Sequence, residues 1–169
     1  DQMVGERPDL DLYDPTRLNT EQQIELAKRV EAVAMSTDAR VTNSEGGDFD
    51  SSSGRVVLGN SHGFLGEYQS SSFSMSVSPV ATDPETGAMQ RDSWYDVQRK
   101  FAKLDSPEAV GQEAARRTVR KLGARKVATQ RVPVVFDSEM AGSLMGNLCS
   151  AVSGYSLYKG ASFLAGQLG

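Results

Sequence analysis

The chain has 169 residues, 38% of them hydrophobic, and 18 basic against 22 acidic side chains give a net charge of -4. That is about one domain with enough apolar content for a core. No apolar run approaches the roughly 20 residues of a membrane span, and the acidic balance argues against a dedicated nucleic-acid binder.

The opening segment, to about Arg17, is acidic and holds Pro8 and Pro15, so it reads as an irregular connector. It has neither an initiator methionine nor a signal-peptide pattern, and the chain ends abruptly on FLAGQLG; a fragment of a longer protein is expected. The stretch NTEQQIELAKRVEAVAMSTD predicts an amphipathic helix. Thr20 and Gln23 suit a capping box, and Ile24, Ala27, Val30 and Val33 form its apolar stripe. Next comes a Gly-, Ser- and Asp-rich region with short extended runs at Arg40 to Asn43 and Gly54 to Gly59, joined by a polar hairpin loop, NSEGGDFDSSSG. FSMSVS alternates strictly, Phe73, Met75 and Val77 against serines, as a strand with one solvated face does. TDPETGAM is a turn, and Met89 to Val97 is expected to return antiparallel, completing a meander of about four strands.

Ser106-Pro107-Glu108 supplies a cap, a proline at the first helical position and an acid in the first turn. Ala109, Ala115, Val119 and Leu122 form that helix's apolar side, and Gly123 stops it. RVPVVFD predicts a strand. SEMAGSLMGNLCSAVSG predicts a third helix, capped by Ser138 and ended by Gly154, with a core stripe of Met140, Leu144, Leu148 and Ala151. Gly142, Gly146 and Ser150 lie four apart on another face, where another backbone can approach closely. The fold class is α+β: an antiparallel meander with helices on one side, ending in a strand–helix junction into a further C-terminal domain. Residues 1–131 belong to the first domain and 132–169 begin the second.

His62 is the only histidine, set between Ser61 and Gly63 with Gly59 and Gly66 nearby. Zinc sites use three or four ligands, so a turn residue, one that touches a partner chain, fits better than a metal ligand. Catalysis with Ser61 is disfavoured because sequence neighbours point apart and a triad is defined by geometry. The acids at 45, 48 and 50 suggest a calcium loop, but Gly54 stands where the terminal glutamate belongs if Asn43 is the first position. Arg116, Arg117, Arg120, Lys121, Arg125, Lys126 and Arg131 make a basic run. No aromatics interleave with it as a single-strand binder would require, so a solvated helix face is expected and nucleic acid is not. Cys149 is the only cysteine, which rules out an intrachain disulfide and points to a reducing, cytoplasmic setting.

RVTNSEGG, GNSHGFLGEY, ARRTVRKLGARK, VPVVFDSEMAGSLMGNLCSAVSG and KGASFLAGQLG occur in the order seen in the TldD/PmbA family, described as modulators of DNA gyrase and as peptide-maturation metalloproteases. The resemblance runs from the first helix to the last residue. It implies one subunit of a heterodimeric enzyme that degrades or trims unfolded peptides. TldD-type chains carry HExxxH on a helix, where two imidazoles bind zinc and the glutamate serves as base. Aligned on Gly154 and FLAGQLG, that motif falls near Met145, Gly146 and Ser150, which cannot do this work. Relatives of the other type carry Gly-His-Leu where this chain has Gly146-Asn147-Leu148. The resemblance therefore implies a PmbA/TldE-type subunit with no catalytic or metal residue and no cofactor of its own. Zinc is expected in a TldD-type partner, with pairing to that partner or to itself. Asn43, Glu45, His62 and Asn147 are the candidates for peptide or partner contact. A non-proteolytic regulator of gyrase or of a toxin–antitoxin pair is the alternative.

Overall fold

A computed structural model describes residues 9–167. They divide into two compact units, one running to Arg125 and one starting at Lys126.

In the first unit, helix α1 spans Thr20–Thr37. Asn19, not Thr20, is its cap. The Asn19 Oδ1 accepts from the Gln22 amide at 2.8 Å, and the Gln22 Oε1 accepts from the Asn19 amide at 2.9 Å. The capping box is thus shifted by one residue from Thr20 and Gln23, consistent with asparagine's stronger preference for that position. Its inward side is Leu26, Ala27, Val30 and Ala34, while Ile24 is exposed.

Asp38 closes α1 and starts the sheet. Its carbonyl accepts from the Val41 amide at 2.9 Å, and its carboxylate receives the Arg40 guanidinium at 2.8 and 3.0 Å. Those guanidinium hydrogen bonds, with one from the Arg40 amide, lower the Asp38 carboxyl from 3.8 to about 2.

Strands β1, Val41–Gly59, and β2, Leu65–Thr82, pair antiparallel along nearly their whole lengths. The expected loop from Asn43 to Gly54 is therefore a correction: it lies inside β1, and it unites the two short runs predicted on either side. Glycine, serine and aspartate tolerate the strand because β2 pairs with it along nearly its whole length. β1 carries two register shifts, between Val41 and Asn43 and between Ser44 and Gly47. These are β-bulges, and they absorb the extra residues.

β3, Met89–Arg91, and β4, Trp94–Gln98, both pair with the other edge of β2. Pro79 explains why they are two strands. The Ser71 amide points to this outer side, toward the Leu12 carbonyl at 3.0 Å. Residues of the same phase point there too, and Pro79 has no N–H to give. Pairing accordingly stops at Val77 and resumes at Val80.

Helix α2, Pro107–Arg120, starts at Ser106, whose hydroxyl accepts from the Ala109 amide at 3.2 Å. It buries Val110, Gly111, Ala114, Ala115 and Thr118. Of the predicted stripe only Ala115 is buried; Ala109 is exposed, and Val119 and Leu122 are intermediate. The small residues face inward because α2 packs directly on α1. Both helices cover one face of the sheet, on a core of Val30, Ala34, Phe49, Phe73, Met75, Val77, Val110 and Ala114. Phe101, in a short 3-10 turn after β4, sets its ring against Phe73 and Phe49, with centroids 5.6 and 6.4 Å away. The antiparallel sheet with helices on one side is the predicted α+β class.

In the second unit, RVPVVFD forms no strand. A strand needs a hydrogen-bonding neighbour, and none of the described residues pairs with this segment; Val135 is 96% exposed. Helix α3, Ser138–Ala151, is capped by Asp137 rather than Ser138 and ends at Val152, ahead of Gly154. A short helix α4, Gly154–Tyr158, follows. Ala151 is buried, but Met140, Leu144 and Leu148 are exposed, so the expected core stripe has no core against it here.

A Cβ at Gly47 would sit 2.3 Å from the Ala27 carbonyl oxygen, whereas one at Gly54 meets nothing within 4 Å. Gly47→Ala is expected to destabilise the fold by about 2 kcal/mol or more through overpacking, and Gly54→Ala to stay within about 0.5 kcal/mol, both read by urea unfolding. The Asp38 carboxyl contributes stability that is present above its unfolded value of 3.8 and lost as pH falls through about 2. A carboxyl NMR titration should show that low midpoint, and Arg40→Met should raise it.

Candidate functional site

Beyond Ser52 and Ser72 the β1–β2 pair continues as a two-stranded arm, and among the described residues no strand pairs with either outer side of it. Its tip is an asparagine-organised turn. The Asn60 Oδ1 accepts from the His62 and Phe64 amides at 3.0 and 3.2 Å, and Gly63 adopts φ 86°. His62 is an exposed residue of this turn. The Phe64 ring lies over Gly66, where a Cβ would come within 2.7 Å of it. Leu58, opposite Gly66, and Val56, opposite Tyr68, continue the apolar surface on the same face, and all three of these apolar side chains are exposed.

The helix-free face of the sheet is polar nearer the core. Asp48 and Asp50 stand opposite Ser76 and Ser74, with Tyr95 and Val97 beyond them on β4. Asn43 and Glu45 lie at the bulged start of β1. The Asn43 Oδ1 accepts from the Ser44 amide at 2.9 Å, and Glu45 forms an ion pair with Arg91. From there to the turn holding His62 is about 50 Å of strand at ~3.3 Å per residue. Asn147, in the second unit, donates to the Ser143 carbonyl at 3.1 Å within its own helix. Within the first unit, Asn43 and Glu45 are neighbours at one end of β1, and His62 lies in the turn beyond its other end.

Three residues of the basic run, Arg116, Arg117 and Lys121, pair with carboxylates of the first unit. Arg116 clamps Glu113 with two hydrogen bonds of 2.8 and 2.6 Å, which hold the Glu113 carboxyl below its usual range. Arg117 is not on the solvated face expected for it. Its guanidinium lies 4.7 Å from the Trp94 ring centroid and 3.6 Å from Asp92, and Lys121 reaches the same carboxylate at 3.1 Å. Burial pushes the Asp92 carboxyl up. The Ser93 amide, the Lys121 hydrogen bond and the two cationic charges more than offset this, leaving it below its usual range. Trp94, the only tryptophan, thus serves as a platform for Arg117. Nothing in the spacing of Asp92, Trp94 and Arg117 signals this cluster, because it forms only when β4 docks beside α2.

A groove of about 670 Å³ between α1 and the 3-10 turn is lined by Leu18, Leu26, Ala32 and Phe101. The charges at its rim are engaged, Lys28 with Glu25 and Arg29 with Glu108. Among the described residues no three His, Cys, Asp or Glu side chains come together. His62 lies in the first unit, and Cys149 is exposed in the second. On α3, Met145, Gly146 and Ser150 offer a thioether, no side chain and a hydroxyl. This donor set does not fit zinc, which takes thiolate, imidazole or carboxylate.

Comparison with known proteins assigns the family. Residues 13–122 match the family described as PmbA/TldA metallopeptidase central domain, and residues 129–169 match its C-terminal domain. Metalloprotease PmbA of Escherichia coli O157:H7 is 43% identical over 99% of this chain, and a Metalloprotease PmbA homolog of Haemophilus influenzae is 38% identical over 100% of it. The chain spans 37% of the length of each. A crystal structure from Bacteroides thetaiotaomicron, described as a modulator of DNA gyrase, superposes over 98% of this chain and 38% of its own, with a TM-score of 0.86 and 31% identity. TldE from Thermococcus kodakarensis shares the fold over 100% of this chain and 39% of its own, with a TM-score of 0.59 and 19% identity. The chain belongs to the PmbA/TldD metallopeptidase family, its residues 13–122 matching the central domain and 129–169 the C-terminal domain.

Proposed function

We propose that this chain is part of the PmbA/TldE-type subunit of a cytoplasmic heterodimeric zinc metallopeptidase acting on unfolded peptides. The observation that carries the reading is the 43% identity to a Metalloprotease PmbA across 99% of the chain. The donor set on α3 adds to it, since Met145, Gly146 and Ser150 cannot bind zinc. In this reading the metal, its ligands and the general base belong to a TldD-type partner. This subunit contributes walls and backbone contacts to the peptide. The outer edge of β1 suits that task, because an extended segment can add to it as a strand and be held by main-chain hydrogen bonds whatever its side chains.

The second reading is a non-proteolytic regulator, favoured by the description of a structural relative as a modulator of DNA gyrase. Arg116, Arg117 and Lys121 of the basic run that would support it are engaged by Glu113 and Asp92.

The full-length protein, purified alone and with its TldD-type partner, should show stoichiometric zinc and cleavage of an unstructured peptide only in the pair. Stoichiometric zinc in the isolated protein would overturn the assignment. Gyrase binding lost in an Arg116→Ala, Arg117→Ala, Arg120→Ala variant, with no cleavage by the pair, would establish the regulator instead.

A further inference from the structure

The connector ahead of α1 is tied to the outer edge of β2 by a cluster of polar contacts. β4 ends at Gln98 opposite Phe73, and the Leu12 carbonyl takes the next place on that edge by accepting from the Ser71 amide at 3.0 Å. The Ser71 hydroxyl, in a side chain only 2% exposed, donates to the Arg99 carbonyl and accepts from the Asp14 amide, each at 2.8 Å. The Asp14 carboxylate accepts from the Phe101 amide at 2.8 Å. Lys100 donates to the Asp11 carboxylate and the Tyr13 carbonyl, each at 2.6 Å. Asp11 itself has φ 49°, the only described non-glycine residue in the left-handed region.

Each of these contacts is polar; Leu12 and Tyr13 are half-buried, and at Leu18 the connector packs against the core. A left-handed residue at the head of such a strap is held by its surroundings and relaxes when they let go. We propose that residues 11–14 form a latch, a displaceable stand-in for a strand on β2. It opens as a unit separate from the helix–sheet core and, on opening, extends the unpaired outer edge of β2 through Ser71 and Ser72. The device is a conformational one and holds whether or not the peptidase reading does. Its consequence is a β2 edge available to a further strand only in the open state.

Hydrogen–deuterium exchange on the full-length protein tests this, comparing wild type with Lys100→Met and Asp14→Ala. Loss of one charge-assisted tie is expected to speed exchange of residues 11–16 and of the Ser71 amide by about tenfold. The amides of α1 and α2 should keep their wild-type rates. The latch is overturned if neither variant changes exchange in residues 11–16. It is equally overturned if the core amides accelerate by the same factor, because the strap would then belong to the global folding unit.

Discussion

The first unit depends on how closely α1 approaches its neighbours. Two glycines set that distance. At Gly47 the sheet comes within reach of the Ala27 carbonyl, and at Gly111 α2 comes within reach of the Val30 carbonyl, where a Cβ would lie 2.8 Å away. With these two positions bare, α1 settles between sheet and helix. Val30 and Ala34 become fully buried, and Phe49, Met75 and Val110 close around them. The close approach also turns α2 so that its small residues face inward. Arg117 is thereby carried onto Trp94 and Lys121 onto Asp92.

Much of this was legible in the sequence, and the misses have physical causes. The serine alternation from Phe73 to Val77 named its strand because period two needs only one buried face. Ser106-Pro107 named a helix start because cap chemistry is local. The stretch from Asn43 to Gly54 read as a loop because its composition is that of turns, yet a long partner strand overrides composition. The face of α2 was misjudged because a glycine and two alanines carry little apolar weight, although close packing selects them. The Arg117 cluster was invisible because its members meet only in three dimensions. The family was legible from its motifs; of the candidate contact residues in the first unit, Asn43 and Glu45 lie at one end of β1 and His62 in the turn beyond the other.

The apolar surface left uncovered follows a pattern. In the first unit it gathers on the arm, at Val56, Leu58 and Tyr68 beside the Phe64 ring. In the second it is the stripe of Met140, Leu144 and Leu148 and the valines before α3. Between arm and core the helix-free face carries hydroxyls and carboxylates on β1 and β2, with Tyr95 and Val97 exposed beside them on β4. A sheet whose first two strands keep one face polar beside the core and turn apolar along the arm separates folding from association. Val30, Met75 and Val110 serve the first, and the arm is free for the second.

The two bulges of β1 have a consequence for ancestry. Each adds one residue relative to β2, and each therefore exchanges the inward and outward faces of everything beyond it. Together they cancel, which is how Val41 and Phe49, on either side, are both buried. A lineage that deleted one bulge alone would turn either Val41 or the run from Phe49 onward toward solvent. Length changes in this strand are thus viable only as compensating pairs, and the spacing between Val41 and Phe49 is a more durable marker of descent than the residues that fill it.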